Sequence, residues 1–262
     1  MSFVKKIFTE IKNFFLDLLF PVECLACGKE GKWLCRECFL KIKINEQFFC
    51  PGCGNLSFLG KVCLKCQREF YFQGLIVVSD YENLILREAI HLFKYSLVKD
   101  LGRDLSLLLG ECLEKIKSDF LKEGIWAIGK EKEIKRILQP SFFSKKFLLV
   151  PVPLYKRRAR ERGFNQAKVL AENLAQKLDY PLVDVLKKEK NTPCQVNLLR
   201  EERKENLLNV FSCEPDKMGQ IKNRNILLVD DVATTCTTLN ECAKILKEAG
   251  AKTIWAIVLC RG

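Results

Sequence analysis

Eight cysteines crowd between residues 24 and 66 as four CxxC pairs: Cys24/Cys27, Cys35/Cys38, Cys50/Cys53 and Cys63/Cys66. A CxxC turn aims two thiolates at one point, and tetrahedral Zn²⁺, with bonds of roughly 2.3 Å to sulfur, needs two such turns. Four turns therefore predict two closed four-cysteine sites, in which zinc is structural because no coordination position is left for water. Gly28 and Gly54 follow the second cysteine of their pairs, where the chain must fold back around a metal. Sequential and interleaved use of the pairs both satisfy the ligand count. The short loops between pairs favour the sequential order, giving two stacked zinc ribbons. The single histidine, His91, lies outside this region and is expected on a helix surface or in the core.

Upstream, Phe3, Val4, Ile7, Phe8, Ile11, Phe14, Phe15, Leu18 and Leu19 recur at helical spacing, so residues 3–19 are expected to form an amphipathic helix. It packs on its own protein or, as the rival reading, lies on a membrane surface. Lys12, Asn13 and Asp17 interrupt it, and no unbroken apolar run is long enough for a bilayer span or a signal sequence. The expectation is a cytoplasmic chain that is not an integral membrane protein, in which disulfides are disfavoured relative to zinc. With 262 residues, 48% of them hydrophobic, there is enough chain for one sizeable domain and a small one. A net charge of +12 points to polyanionic partners, whether nucleic acid, phosphorylated metabolites or an anionic membrane.

From about residue 70 the pattern alternates strands with helices, as in an α/β domain with a parallel sheet. Strands are predicted over 74–79, 147–152, 225–229 and 253–259. Helices are predicted from Leu84 through Leu92 with continuation to Leu109, over Asn165–Leu178 and over Leu239–Ala249. Residues 125–146 are basic and contain proline, and are expected to be an insertion or long loop.

The stretch NILLVDDVATTCTTLNEC, residues 225–242, concentrates the candidate chemistry. Ile226–Val229 has the continuous apolar character of a central parallel strand, which makes Asp230–Thr238 a strand-to-helix loop at the carboxyl end of a sheet. Ligands of open α/β sheets bind at such ends, and the following helix N-terminus favours an anion. Thr234, Thr235, Thr237 and Thr238 supply hydroxyls suited to a phosphate monoester. Asp230 and Asp231, as hydrogen-bond acceptors, suit a ribose diol or a bound Mg²⁺. A diol beside a phosphate describes a 5-phosphoribosyl group. The rivals are an ordinary solvated loop and a receiver-type acidic pocket.

A second cluster, VPVPLYKRRARERGFNQA at residues 150–167, crowds Lys156, Arg157, Arg158, Arg160 and Arg162 after two prolines that fix a turn, and is expected to be a basic loop, with a plain solvated loop as the alternative. These side chains suit pyrophosphate oxygens, and they suit a nucleic-acid backbone equally well. A third segment, residues 191–211, carries Gln195, Arg203 and Asn206 as a possible hood over the site, with an exposed charged helix as the alternative.

The aspartate stretch resembles the phosphoribosyl-pyrophosphate (PRPP) motif of type I phosphoribosyltransferases, with Ala233, Thr234, Thr235, Cys236, Thr237 and Thr238 as its phosphate loop. Cys236 stands where that family most often has glycine. The cysteine pairs and these segments, together with the LFP before the first pair and REAIHLFKY at residues 87–95, are similar to the ComF family of competence-associated proteins. The resemblance implies an amphipathic helix over 1–20, a double zinc ribbon over 21–68 and a type I phosphoribosyltransferase-like α/β domain over 69–262. It further implies PRPP with Mg²⁺ as ligand and a role in DNA uptake, with single-stranded DNA and uptake-machinery proteins as partners. Asp230 and Asp231 would be its catalytic residues. The alternatives are a non-catalytic single-stranded DNA-binding factor and an active transferase in nucleotide salvage with an unnamed acceptor.

Overall fold

The computed structural model describes residues 21–96, 98–123, 146–190 and 210–262, with the side chains of 120–123 excepted. The expected helix over residues 3–19, the 125–145 part of the insertion and the hood residues Gln195, Arg203 and Asn206 lie outside the described residues.

The cysteine-rich region holds little regular structure beyond one short helix, α1 (Arg36–Phe39). The chain then runs through β1 (Gly74–Asp80), α2 (Leu84–Tyr95), α3 (Leu101–Glu123), β2 (Leu148–Pro151), α4 (Lys156–Glu161) and α5 (Gln166–Leu178). It continues through β3 (Leu186–Lys188), β4 (Phe211–Cys213), β5 (Asn225–Ala233), α6 (Thr237–Glu248) and β6 (Thr253–Arg261). The main sheet has the order β1-β6-β5-β2 with every pairing parallel, as the apolar runs predict. The pair β3–β4 is antiparallel, separate from the main sheet, and was not expected from the sequence.

Helix limits follow local chemistry. Asn83 and Asn165 cap α2 and α5, each side chain accepting a hydrogen bond from an amide in the first turn. The amide nitrogen of Asn165 also donates to the Val152 carbonyl, tying α5 to the end of β2. The helix expected to run on from Leu84 to Leu109 is instead two helices, with Ser96 closing the first.

Because β5 and β6 are covered on both sides, alternate residues feed two cores. Leu227, Val229, Ile257 and Leu259 face α2, α3 and α5 together with the first cysteine cluster. Ile226, Leu228, Ala256 and Val258 face α6 and β3–β4 together with Cys50, Val62 and Phe72. The cysteine-rich region thus straddles the edge strand β1. Asn45 donates from its backbone to the Val78 carbonyl at 2.7 Å, and the buried Ser79 hydroxyl donates to the Lys43 carbonyl at 2.7 Å. An edge that would otherwise invite pairing with another chain is covered. Among the described residues no helix is long and apolar enough to cross a membrane.

Gly60 shows how closely the two parts meet. Its φ is +75°, and a Cβ built there would lie 1.9 Å from the Leu75 carbonyl oxygen in β1. Gly60→Ala combines left-handed strain with a backbone clash and is expected to destabilise by about 2–4 kcal/mol, measured by denaturant unfolding. A change below about 0.5 kcal/mol would show that the contact is not rigid.

Candidate functional site

Two four-cysteine clusters form in sequential order, Cys24/Cys27/Cys35/Cys38 and Cys50/Cys53/Cys63/Cys66, with all sulfurs of a cluster within 4.8 Å of one another. Cys27 and Cys35 are 3.7 Å apart at Sγ, as are Cys53 and Cys63. A tetrahedron with bonds near 2.3 Å has edges of about 3.8 Å, whereas a disulfide needs about 2.05 Å. Backbone amides point at the sulfurs: Cys35 N–H at Cys24 and Cys63 N–H at Cys50, each at 3.4 Å. Burial opposes ionisation of Cys24, but the amides of Cys35, Ala26 and Cys27 outweigh it and bring the thiol down to about 6. In the same cluster burial, followed by the other thiols, pushes Cys38 up to about 12. Thiolates packed this densely need a cation to ionise together, and the donor set fits Zn²⁺.

The second site opens at the carboxyl end of the main sheet as a cavity of about 240 Å³, lined by Lys94, Arg158, Arg162, Lys188, Asp230 and Asp231 among others. Asp230 and Asp231 were expected in a loop. Both instead lie within β5, because β6 continues alongside and holds the pairings Asp230↔Val258, Val232↔Cys260 and Ala233↔Arg261. Strand alternation then sends the two carboxylates apart. Asp231, only 7% exposed, pairs with Lys94 of α2 at 2.9 Å. Asp230 is turned toward β3 and α6, where it acts on Lys188 and Cys242. Its Oδ1 accepts the Asp231 N–H at 2.9 Å. Burial first, and the charge of Asp231 second, push the Asp230 carboxyl up to about 7. The repulsion implied by adjacent acids is thus already relieved by geometry, by Lys94 and by an easily protonated Asp230. Burial disfavours the Lys94 charge, yet the attraction of Asp231 and then Asp230 holds its pKa above the ordinary value.

The basic cluster forms a short helix, α4, where a loop was expected. Arg158 and Arg162, one turn apart, line the cavity, while Lys156, Arg157 and Arg160 are exposed. Arg157 pairs outward with Glu161 at 2.9 Å. Arg162 donates to Gln166 Oε1 at 3.3 Å and lies 5.3 Å from the centre of the Tyr95 ring. Gln166, itself buried, donates to the Phe93 carbonyl at 3.2 Å, so Arg162 is fixed to the frame of α2 and α5.

The threonine loop is shorter than the sequence implied, reduced to Thr234–Cys236 between β5 and α6. Thr234 and Thr238 line the cavity. The hydroxyls of Thr235 and Thr237 bond each other at 2.8 Å. Cys236 is buried in the left-handed region at φ +62° and occupies the N-cap position of α6. Lys94, Tyr95 and Lys188 were not among the candidates. Lys94 lies beside the buried face of α2, Tyr95 is exposed at its end, and Lys188 sits in a short charged strand, so although the first two fall in the REAIHLFKY segment, their periodicity does not mark them as site residues. His91 is exposed on α2 with its ring 5.0 Å from Tyr95.

Comparison with known proteins gives a double zinc ribbon domain over residues 15–71 and a phosphoribosyl transferase domain over residues 165–262. Competence protein F of Haemophilus influenzae is 31% identical over 252 residues, spanning 92% of this chain and 98% of that protein. The chain belongs to the ComF family. Competence protein ComFC of Bacillus subtilis is 30% identical over 225 residues, covering 85% of this chain and 81% of its own. DNA utilization protein YhgH of Escherichia coli is 30% identical over 252 residues, covering 93% and 99%. This ComF family member thus joins a phosphoribosyltransferase-like α/β domain with a parallel sheet to two zinc-ribbon cysteine clusters.

Two measurements follow from the site. Metal analysis is expected to return about two zinc per chain, and a folded preparation carrying none would refute the cluster assignment. Cys236→Gly and Cys236→Ala delete the same thiol and differ chiefly in tolerance of positive φ. The glycine variant should therefore be the more stable by about 1 kcal/mol, and equal stabilities would mean that the loop relaxes out of the left-handed region.

Proposed function

We propose that this ComF family protein binds PRPP as its Mg²⁺ complex and serves in DNA uptake from the cytoplasm. In this reading the chain divides into a helix over 1–20, the ribbons over 21–68 and the transferase-like domain over 69–262. The observation that carries it is the meeting of Asp230 and Asp231 with Lys94, Arg158, Arg162 and Lys188 around one cavity beside the threonine loop. Carboxylates accept from a ribose diol, and the cations match pyrophosphate.

The 5-phosphate would rest on the Thr234–Thr238 loop and the first turn of α6, whose backbone amides favour an anion. Asp230 and Asp231 would hold the diol, with Lys94 shared between Asp231 and the ligand. Asp230 and Asp231 would also help to hold Mg²⁺, which would supply positive charge to offset that of the leaving group. In transfer, the bond from C1 to pyrophosphate breaks as a bond from C1 to the acceptor forms. Arg158 and Arg162 then stabilise the departing anion. The exposed side of α4, with Lys156, Arg157 and Arg160, favours a second role in gripping single-stranded DNA.

Calorimetry tests the proposal. Wild type should bind PRPP with Mg²⁺, and Asp230→Asn/Asp231→Asn should lose most of that affinity. Asp230 becomes charged only as pH rises through about 7, so binding should strengthen between about pH 6 and 8, and Asp230→Asn should flatten that rise. The sign for stability is opposite. An acid whose folded pKa is raised binds more protons folded than unfolded, so the ligand-free protein should lose stability as pH climbs from about 4 to 7. Absence of PRPP binding, alongside salt-dependent binding of a single-stranded oligonucleotide, would replace the first role with the second.

A further inference from the structure

We propose that Arg261 and Asn240 are positioning residues that couple the second cysteine cluster to the threonine loop. Through them, Zn²⁺ in that cluster sets the order of the loop and its affinity for a phosphate ester. The affinity half of the proposal rests on the phosphoribosyl reading above, whereas the coupling itself does not.

Arg261 ends β6 and spans two otherwise distant turns. Its Nη2 donates to the Pro51 carbonyl at 2.9 Å, inside the Cys50–Cys53 knuckle. Its Nε donates to the Thr234 carbonyl at 3.3 Å, the first residue of the loop. The next residue, Gly262, donates from its backbone to the Ala233 carbonyl at 2.9 Å, holding the loop's entry. Asn240 repeats the arrangement at the loop's exit. Its own N–H donates to the Cys236 carbonyl at 2.9 Å. Its side chain accepts from Tyr71 N–H at 2.8 Å and donates to the Glu69 carbonyl at 3.0 Å, just past Cys66.

The packing is continuous along the same line. Cys50, Val62 and Phe72 share one apolar cluster with Cys236, Leu239 and Cys242, and Cys63 and Cys66 pack against it. Cys24, Cys35 and Cys38 of the first cluster pack instead into the other core, with α2 and α3. The two clusters have like internal geometry and different neighbours, so their metals should have different effects on the loop.

The physical reason is that carbonyls in a knuckle are fixed only while the metal closes it. With the second cluster open, the Pro51 carbonyl is no longer held in place. The guanidinium then loses one end of its fork, and Thr234 loses a clamped partner. Lysine cannot substitute, because a single ammonium lacks the planar spread to serve both carbonyls. Coupling of this kind is reciprocal, so a ligand on the loop must also tighten the knuckle.

The test uses amide hydrogen exchange on the full-length, zinc-loaded chain, comparing wild type with Cys53→Ser, Cys27→Ser, Arg261→Gln and Arg261→Lys. Cys27 and Cys53 are both exposed second cysteines of their knuckles, so the two serine variants open equivalent positions. Cys53→Ser and both Arg261 variants are expected to speed exchange over residues 234–238 severalfold, with Cys27→Ser leaving it at the wild-type rate. Unchanged exchange in the Arg261 variants, or an equal rise in Cys27→Ser, would overturn the coupling. In parallel, PRPP with Mg²⁺ is titrated into the same proteins. Cys53→Ser and Arg261→Gln should bind about tenfold more weakly than wild type, and saturating ligand should slow exchange over residues 50–66 in wild type. Wild type that binds no PRPP would defeat the phosphoribosyl reading, while the exchange comparison would still decide the coupling.

Discussion

The parallel ladder between β5 and β6 is the constraint on which the site depends. It runs from Asn225↔Thr253 to Ala233↔Arg261, well past the continuous apolar run of β5, which ends at Val229. Backbone pairing over those last residues carries Asp230 and Asp231 out of a loop and into a rigid strand. Their spacing is thereby set by the pleat rather than by loop flexibility. The same ladder shortens the threonine loop and delivers Arg261 to its side.

Electrostatics at the sheet end follow from that placement. Two acids held in adjacent strand positions would be costly to bury if both faced one way. Turned to opposite faces, each finds a different answer: Asp231 a direct ion pair with Lys94, Asp230 a raised affinity for a proton. Around them Arg158, Arg162 and Lys188 bring more positive charge than the two acids balance. Two of these cations are held by ring contacts, Arg162 by Tyr95 and Lys188 by Phe211.

The cysteine-rich region is more than an appendage. Its chain covers the exposed edge of β1 and contributes to both cores, so each cluster supports a different face of the sheet. In a region with so little regular structure, the order comes from the two cysteine clusters and from packing against the cores of the sheet. At Gly60 the two parts meet so closely that there is room for no side chain.

What the sequence determined by itself was local. CxxC spacing fixes which two sulfurs meet within each turn, because that geometry is contained within four residues, while the fold decides which turns share a cluster. Continuous apolar runs identify the four parallel strands, and asparagines before apolar repeats cap α2 and α5. The aspartates and threonines stood out as a candidate stretch for the same reason, since these donors and acceptors lie next to one another in the chain. Tertiary structure decided the rest. Whether Arg158 or Arg160 faces the cavity depends on α4 being helical and on how it docks, and the run of basic residues is silent on both. Lys94 and Lys188 join the site from α2 and β3, which are distant in sequence from the aspartates, and neither the REAIHLFKY segment around Lys94 nor the charged strand around Lys188 says that they face a cavity. The end of β5 was misplaced because charged residues look like a strand's end, while the pairing that extends it comes from β6. Contacts closed by the fold, such as Arg261 with Pro51 and Thr234, leave no periodic trace along the chain.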